Sequence, residues 1–214
     1  MANVECRMPN ADGRRNAVGG ARVRLAAALL AALVLPSCSQ GIRDGQSPAM
    51  LILVSLTGAR GGGTGSGTQA NSVASDVQTR VPALTGPATI FADNGQATLQ
   101  LQMRDATLAP SPVNAITMTQ YHVQFIRADG RNTPGVDVPF GFDGVLATTI
   151  ANQGSVSFTL VRVQSKMEAP LAALANNFQV ISAIAEVTLY GHDQNGRAVS
   201  VSGRINVDFS DWGD

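Results

Sequence analysis

The chain has 214 residues with 15 basic and 15 acidic side chains, giving a formal net charge of 0, and only 5% of its residues are aromatic. This length suits one domain with a sizeable core, after allowance for a leader segment. No cluster of basic residues occurs, which disfavours nucleic-acid binding.

The N-terminal region carries the order of features typical of a bacterial secretion signal. Arg22 and Arg24 precede eleven unbroken apolar residues, 25–35, which lead into Leu35-Pro36-Ser37-Cys38. As a helix this run would rise only about 16 Å, against about 30 Å for a hydrocarbon core, so a membrane-spanning helix is disfavoured. Residues 35–38 resemble the lipobox of bacterial lipoproteins. The resemblance implies a signal peptide at residues 1–37 and a lipid on Cys38.

Removal of the first 37 residues would leave 214 minus 37, or 177 residues, with 10 basic and 13 acidic side chains. Cys38 would then be the single remaining cysteine, available for a lipid but not for an internal disulfide. Residues 38–48 are polar and rich in turn formers, which predicts a short tether. We therefore expect a cell-envelope protein held to a membrane by its N-terminal lipid. Ser39 in place of aspartate favours the outer membrane, if the organism has one.

The first part of the predicted domain contains two strands and a glycine-rich stretch. The continuous apolar run 50–56 predicts a strand buried on both faces. Residues 61–67 match neither a P-loop nor a dinucleotide-binding fingerprint, so a flexible excursion is favoured over a phosphate site. Residues 97–103 alternate between apolar and polar side chains, which is typical of a half-buried antiparallel strand.

In the second half of the sequence, the strands are predicted from the alternation of apolar residues and from the turn-forming residues between them. The apolar positions change from even to odd near Thr119-Gln120, which predicts a β-bulge. Residues 145–150 and 156–160 predict two further strands. The spacing of Ser165 and Glu168 is that of a capping box and predicts a short helix, with a start near Pro170 as the alternative. Alternation over residues 181–189 and 199–209, around Asn195-Gly196, predicts a long central hairpin.

About seven strands, one short helix and no βαβ rhythm predict an all-β fold, an antiparallel β-sandwich over residues 49–214. The strand spacing and the turn within the terminal hairpin resemble the immunoglobulin-like and fibronectin-type modules of bacterial surface proteins. More narrowly, residues 121–137 and the ending 207–214 resemble an uncharacterised group of small bacterial lipoproteins. That resemblance implies no activity.

Catalytic chemistry is sparsely represented, so we expect no enzyme and no cofactor. His122, His192 and Lys166 are the few candidate groups, and no G-x-S-x-G elbow is present. Zinc is disfavoured because no closely spaced ligand pair occurs. Calcium is the stronger metal hypothesis, set against the ordinary preference of Asp and Asn for turns. Its candidate ligands are Asp93, Asp129, Asp193 and Asn195.

Two functions remain open. The favoured hypothesis is a non-enzymatic structural or interaction module with an unknown protein or glycan partner. The alternative is a carbohydrate- or peptide-binding surface module, which would need exposed aromatic side chains. Phe140, Phe142 and Trp212 are the candidates, against the expectation that the phenylalanines pack in the core. Assembly through an open sheet edge is a third possibility.

Overall fold

The computed structural model describes residues 45–62, 67–80 and 85–212, all of which belong to one compact unit, Gly45–Asp214. The predicted signal peptide, the lipidation residue Cys38 and most of the predicted tether lie outside these residues. Within the described ranges, no helix has the length and apolar character needed to cross a membrane.

Strands dominate the described residues, which makes the protein all-β. Within the described residues, the helical elements are one short α-helix, α1 (Val163–Met167), and two 3-10 helices at Pro112–Asn114 and Leu171–Leu174. The strands are β1 (Ala49–Ala59), β2 (Ser72–Asp76), β3 (Thr79–Arg80), β4 (Ala88–Thr89), β5 (Asp93–Met103), β6 (Ile116–Ile126), β7 (Phe142–Ile150), β8 (Gln153–Val161), β9 (Ile181–Asp193) and β10 (Ala198–Ser210).

Two main sheets form a sandwich-like arrangement. One has the strand order β1-β5-β8, and the other has the order β2-β10-β9-β6-β7. All neighbours in these sheets are antiparallel except β2, which runs parallel to β10. Strands β3 and β4 form a small separate pair. The chain changes from one main sheet to the other between β1 and β2, between β2 and β5, between β5 and β6, between β7 and β8, and between β8 and β9.

The core lies between the inward faces of the two sheets. Ala97, Leu99, Leu101 and Met103 of β5 are all at most 5% exposed, which confirms the predicted alternation. From the larger sheet, Phe125 and Phe209 meet edge to face with ring centroids 5.6 Å apart. Burial of side chains of this size contributes about 1.5–3 kcal/mol each, which is the main force holding the sheets together.

The predicted terminal hairpin is confirmed and is central. β9 and β10 are 13 residues long each and pair along almost their whole length, and β9 occupies the middle of the five-stranded sheet. Gly196 in the connecting turn has φ of +79°, a backbone conformation that glycine adopts without steric cost. The Asn-Gly turn therefore sets the register of the two longest strands.

The predicted bulge in β6 is also confirmed. The register of β6 shifts between Met118 and Gln120 against both of its neighbours, β7 and β9. Met118 and Tyr121 are both buried although they lie three positions apart, a spacing that a regular strand would place on opposite faces. The extra residue thus keeps both apolar segments of β6 facing the core.

Strand β1 differs from its prediction. It was expected to be buried on both faces, but it is an edge strand, with β5 as its one neighbouring strand in the sheet. Leu51 is 7% exposed, whereas Ile52 and Val54 on the other face are 40% and 51% exposed. Its apolar run covers the core with one face and leaves the other at the surface.

The predicted capping box is wrong, although the helix exists. α1 begins at Val163 with Arg162 as its N-cap, and no side chain caps it. Ser165 is instead buried within the helix and accepts a hydrogen bond from Arg162 Nε at 3.2 Å. The alternative start near Pro170 describes the following 3-10 helix, whose buried Leu171 and Leu174 cover the core.

The sandwich has two ends that carry different groups. At the Lys166 end, β1, β2, β8 and β10 finish and β5 begins. At the Asp193 end, β9 finishes and β6 and β10 begin. Leu53 of β1 lies near Gly203 of β10, and Gly58 of β1 lies near Ile205 of β10. β1 therefore runs in the same direction as β10 and also begins at the Asp193 end.

Candidate functional site

Lys166 is the single lysine among the 15 basic residues of the chain, and it lies inside the protein. Its side chain is 0% exposed, as is that of Asp93, and its Nζ lies 2.9 Å from Asp93 Oδ1. Lysine is rarely fully buried unless it is paired, so this ion pair is the feature that permits its burial. α1 supplies the lysine and the first residue of β5 supplies the aspartate.

Both carboxylate oxygens of Asp93 are held by further donors. The backbone N–H of Gly61 donates to Oδ1 at 2.8 Å, and the Ser75 hydroxyl donates to Oδ2 at 2.5 Å. Gly61 follows β1, and Ser75 belongs to β2 in the opposite sheet. Asp93 therefore ties the two sheets together at the Lys166 end, and its orientation is set by three different segments.

A second buried carboxylate, Asp76, lies beside this pair. Its oxygens accept hydrogen bonds from Thr79 Oγ1 and from the backbone N–H of Trp212, both at 3.1 Å. The guanidinium of Arg60 approaches to 3.9 Å from the surface. The indole Nε1 of Trp212 donates to the backbone oxygen of Ser75 at 3.1 Å, which closes the cluster on the side of β2 and β10.

The electrostatics of the cluster are set by burial. Burial lowers the pKa of Lys166 below its usual value, and the negative charges of Asp93 and Asp76 counteract only part of that effect. Arg60 adds a further repulsion that lowers the pKa. A lysine with a lowered pKa loses its proton more readily and exposes a nucleophilic amine, which arginine cannot do.

The four calcium candidates do not converge. Asp93 is in the buried cluster. Asp129 lies on the loop after β6, where Arg127 Nη2 and Arg131 Nη2 lie 2.8 and 3.0 Å from its Oδ2. Hydrogen bonds from Arg127 and then from the Arg131 backbone outweigh its slight desolvation and lower the pKa of Asp129 to about 2.

Asp193 and Asn195 belong to the hairpin turn at the other end of the molecule. Asp193 Oδ1 accepts hydrogen bonds from the backbone N–H groups of Asn195 and Arg197, both at 2.9 Å. Asp193 pairs with the first residue of β6, whereas Asp129 follows the last, so the length of β6, about 33 Å, separates them. Among the described residues, no group of three or more His, Cys, Asp or Glu side chains is placed to hold a metal ion.

The three aromatic candidates are also separated. Phe142 is 8% exposed and packs in the core at 6.2 Å from the Tyr121 ring, so it offers no binding platform. Phe140 is 47% exposed on the loop before β7, whereas Trp212 is half-buried after β10. Three strand spacings, about 14 Å, separate β7 from β10, so Phe140 and Trp212 lie next to different strands of the larger sheet.

The two histidines occupy ordinary positions. His122, on β6, lies 2.8 Å from the exposed Asp143 on the neighbouring strand β7. His192 lies within β9 next to the hairpin turn, and its Nδ1 is 3.0 Å from the Asp193 backbone oxygen. Neither is in contact with the Lys166 cluster.

No model of a known protein family matches the chain, and a search of curated proteins finds no significant match. The site therefore has to be judged on its geometry. Sequence reasoning placed Asp93 in a turn and counted Lys166 only as a scarce titratable group. The signal that could have found the pair is composition, since one lysine stands in a chain that otherwise uses arginine.

Proposed function

We propose that the protein is a lipid-anchored component of a bacterial cell envelope that acts as a non-enzymatic structural or interaction module. The anchor rests on residues 35–38 and on the apolar run before them. The non-enzymatic assignment rests on the burial of the Lys166 cluster. Lys166, Asp93 and Asp76 have fully buried side chains, so a substrate from outside has no access to the reactive groups.

The proposal includes an immunoglobulin-like fold, for which the strand order is the support. The first, third and sixth long strands, β1, β5 and β8, share one sheet, and the last two strands lie beside β6 and β7 in the other. This division corresponds to the A-B-E and G-F-C groups of immunoglobulin-like sandwiches. The early strand β2 runs parallel to the last strand, β10, and closes the edge of the larger sheet.

The position of the tether suggests how such a module would be presented. The chain enters the sandwich just before Ala49, at the Asp193 end. A lipid on Cys38 would leave a tether of about ten residues, at most about 35 Å when extended. The Lys166 end, with Phe140 and the long loop after β6, would then be directed away from the membrane and toward partners.

Mass spectrometry of the N-terminus tests the anchor. The full-length gene is expressed in a bacterium that processes lipoproteins, beside a Cys38→Ala variant and a Cys6→Ala control. We expect wild type and Cys6→Ala to begin at Cys38 with a lipid-sized mass increment and to partition into detergent. Cys38→Ala should lack that increment. An intact leader in the wild type, or an unmodified Cys38, would contradict the proposal.

A further inference from the structure

The chain contains one lysine, Lys166, and its side chain is fully buried against the carboxylate of Asp93. Apart from His122, the basic residues of the other described ion pairs are arginines, for example Arg127, Arg131 and Arg204. Arginine can form two parallel hydrogen bonds with a carboxylate and stays charged, so it is the better residue for a purely ionic contact. Lysine differs in being able to lose its proton and act as a nucleophile.

The donors around Asp93 are arranged as an acyl-transfer site requires. Gly61 N–H donates to Oδ1 at 2.8 Å, where negative charge would develop if Cγ were attacked. Ser75 Oγ donates to the other oxygen, Oδ2, at 2.5 Å, where a leaving hydroxyl would need a proton. Lys166 Nζ lies within hydrogen-bond distance of the same carboxyl group and is excluded from water.

We propose that Lys166 and Asp93 join in an intramolecular isopeptide bond between Nζ and Cγ. The ammonium first transfers one proton to Asp93, which yields a neutral amine and a neutral Asp93 carboxyl group protonated on Oδ2. The amine attacks Cγ, and the negative charge on Oδ1 is stabilised by the Gly61 N–H. Asp76, the second carboxylate, accepts a second proton from the attacking nitrogen and passes it to Oδ2. The Cγ–Oδ2 bond then breaks, and Oδ2 leaves as water with two of the hydrogens that Nζ carried.

The environment favours this product. Two opposite charges in a water-excluded site each carry a desolvation penalty that their mutual attraction only partly offsets. Formation of the amide removes both charges and leaves a neutral group whose carbonyl oxygen, Oδ1, still accepts the hydrogen bond from the Gly61 N–H. The water released passes to solvent, and no oxidant, metal or other reactant is consumed.

The bond would close a loop between two residues 73 positions apart, from Asp93 at the start of β5 to Lys166 in α1. This segment contributes β5 and β8 to one sheet and β6 and β7 to the other. A covalent link at the Lys166 end would therefore fasten strands of both sheets and limit the unfolded ensemble, as disulfides do. A module exposed outside the cytoplasm gains this constraint without cysteine. The inference does not depend on the lipid at Cys38.

Tryptic mapping of the full-length protein tests the proposal directly. Cleavage after arginine and lysine would release Asp93 in peptide 81–104 and would cut the segment 163–197 after Lys166. With the isopeptide bond, trypsin cannot cut at Lys166, and we expect peptides 81–104 and 163–197 to be joined, lighter by one water. Separate peptides 163–166 and 167–197 of full mass would overturn the proposal. Both outcomes are read on wild-type protein, so no variant needs to fold.

Amine labelling of the denatured protein provides a second readout. Because Lys166 carries the one ε-amino group of the chain, a bonded protein should show no label on that residue under denaturing conditions. Stoichiometric labelling of Lys166 in the wild type would overturn the bond. Asp93→Ala should restore both the label and cleavage at Lys166. Asp76→Asn should slow bond formation and raise the labelled fraction, and unchanged kinetics in that variant would remove Asp76 from the mechanism.

Arg204→Lys is the matched control. It places a second lysine beside Glu186, whose Oε2 lies 3.2 Å from Arg204 Nη2 on the exposed face of the β9–β10 hairpin. Donors and burial like those around Asp93 are absent from this surface pair, so we expect full labelling of the new lysine and no loss of water. A cross-link at this position as well would show that proximity alone suffices and would refute the role assigned to the buried site.

Discussion

Removal of the Lys166 side-chain charge should strongly destabilise the protein. Lys166→Met keeps much of the side-chain volume but leaves the carboxylate of Asp93 buried without its cation. Breaking a buried pair in this way costs about 3–5 kcal/mol, because the remaining charge is neither solvated nor compensated. The Gly61 and Ser75 donors soften the loss, and the proposed covalent bond would raise it beyond this range.

Urea unfolding followed by circular dichroism measures the effect. With an m-value of about 2 kcal/mol per molar urea, a loss of about 4 kcal/mol lowers the midpoint by about 2 M. The control is Arg204→Met, which breaks an ion pair whose partners are 63% and 36% exposed. Such surface pairs contribute about 0–1 kcal/mol. If Lys166→Met and Arg204→Met shifted the midpoint equally, the argument from burial would be refuted.

Three further predictions concern packing, a close backbone approach and acid titration. Leu171→Ala should lower the free energy of unfolding by about 2–5 kcal/mol because the side chain is fully buried, whereas Phe178→Ala, at 98% exposure, should change it by less than about 0.5 kcal/mol in the same urea assay. Gly191→Ala should cost about 1–3 kcal/mol, since a Cβ there would overlap the backbone oxygen of Thr117 on β6, and an unchanged thermal midpoint would contradict this. Asp129 should titrate near its lowered pKa of about 2 in carboxyl NMR spectra. Because its folded pKa lies below the unfolded value of about 3.9, its contribution to stability is present above that pH and is lost as the pH falls toward 2, and a titration near 4 would contradict the arginine contacts.

The parts of the fold that sequence alone predicted are those with local signals. Alternation along β5 and the terminal hairpin was visible because each strand buries one face, which imposes a period of two. The bulge near Gln120 was visible because it changes the parity of that period. These patterns depend only on neighbours within one or two strands.

The errors arose where the outcome depends on distant segments. An unbroken apolar run such as 50–56 is compatible with a central strand, and only the strand order reveals that β1 lies at an edge. Likewise, the spacing of Ser165 and Glu168 fits a capping box, yet the path of the chain out of β8 starts the helix at Val163 instead. Tertiary packing overrides the local preference in both cases.

The buried cluster could not be located by spacing because its members come from five separate segments. Asp93 and Lys166 are 73 residues apart, and Ser75, Gly61 and Trp212 join them only after both sheets have formed. Asp93 in particular occupies a position, just before Asn94-Gly95, that is typical of an exposed turn. Its burial follows from the start of β5 lying between the ends of β1, β2 and β8.

Composition nevertheless carried a usable signal. Every Lys or Arg position of the chain other than Lys166 is an arginine. A lysine is therefore unexpected at a position where arginine would form a stronger, bidentate pair with the carboxylate. If Lys166 served only to neutralise Asp93, Lys166→Arg should be tolerated wherever the larger guanidinium can be accommodated. If its role is nucleophilic, Lys166→Arg should preserve the charge balance and still lose the cross-link, because a guanidinium is not deprotonated in proteins. The same substitution therefore separates an electrostatic role for the single lysine from a chemical one.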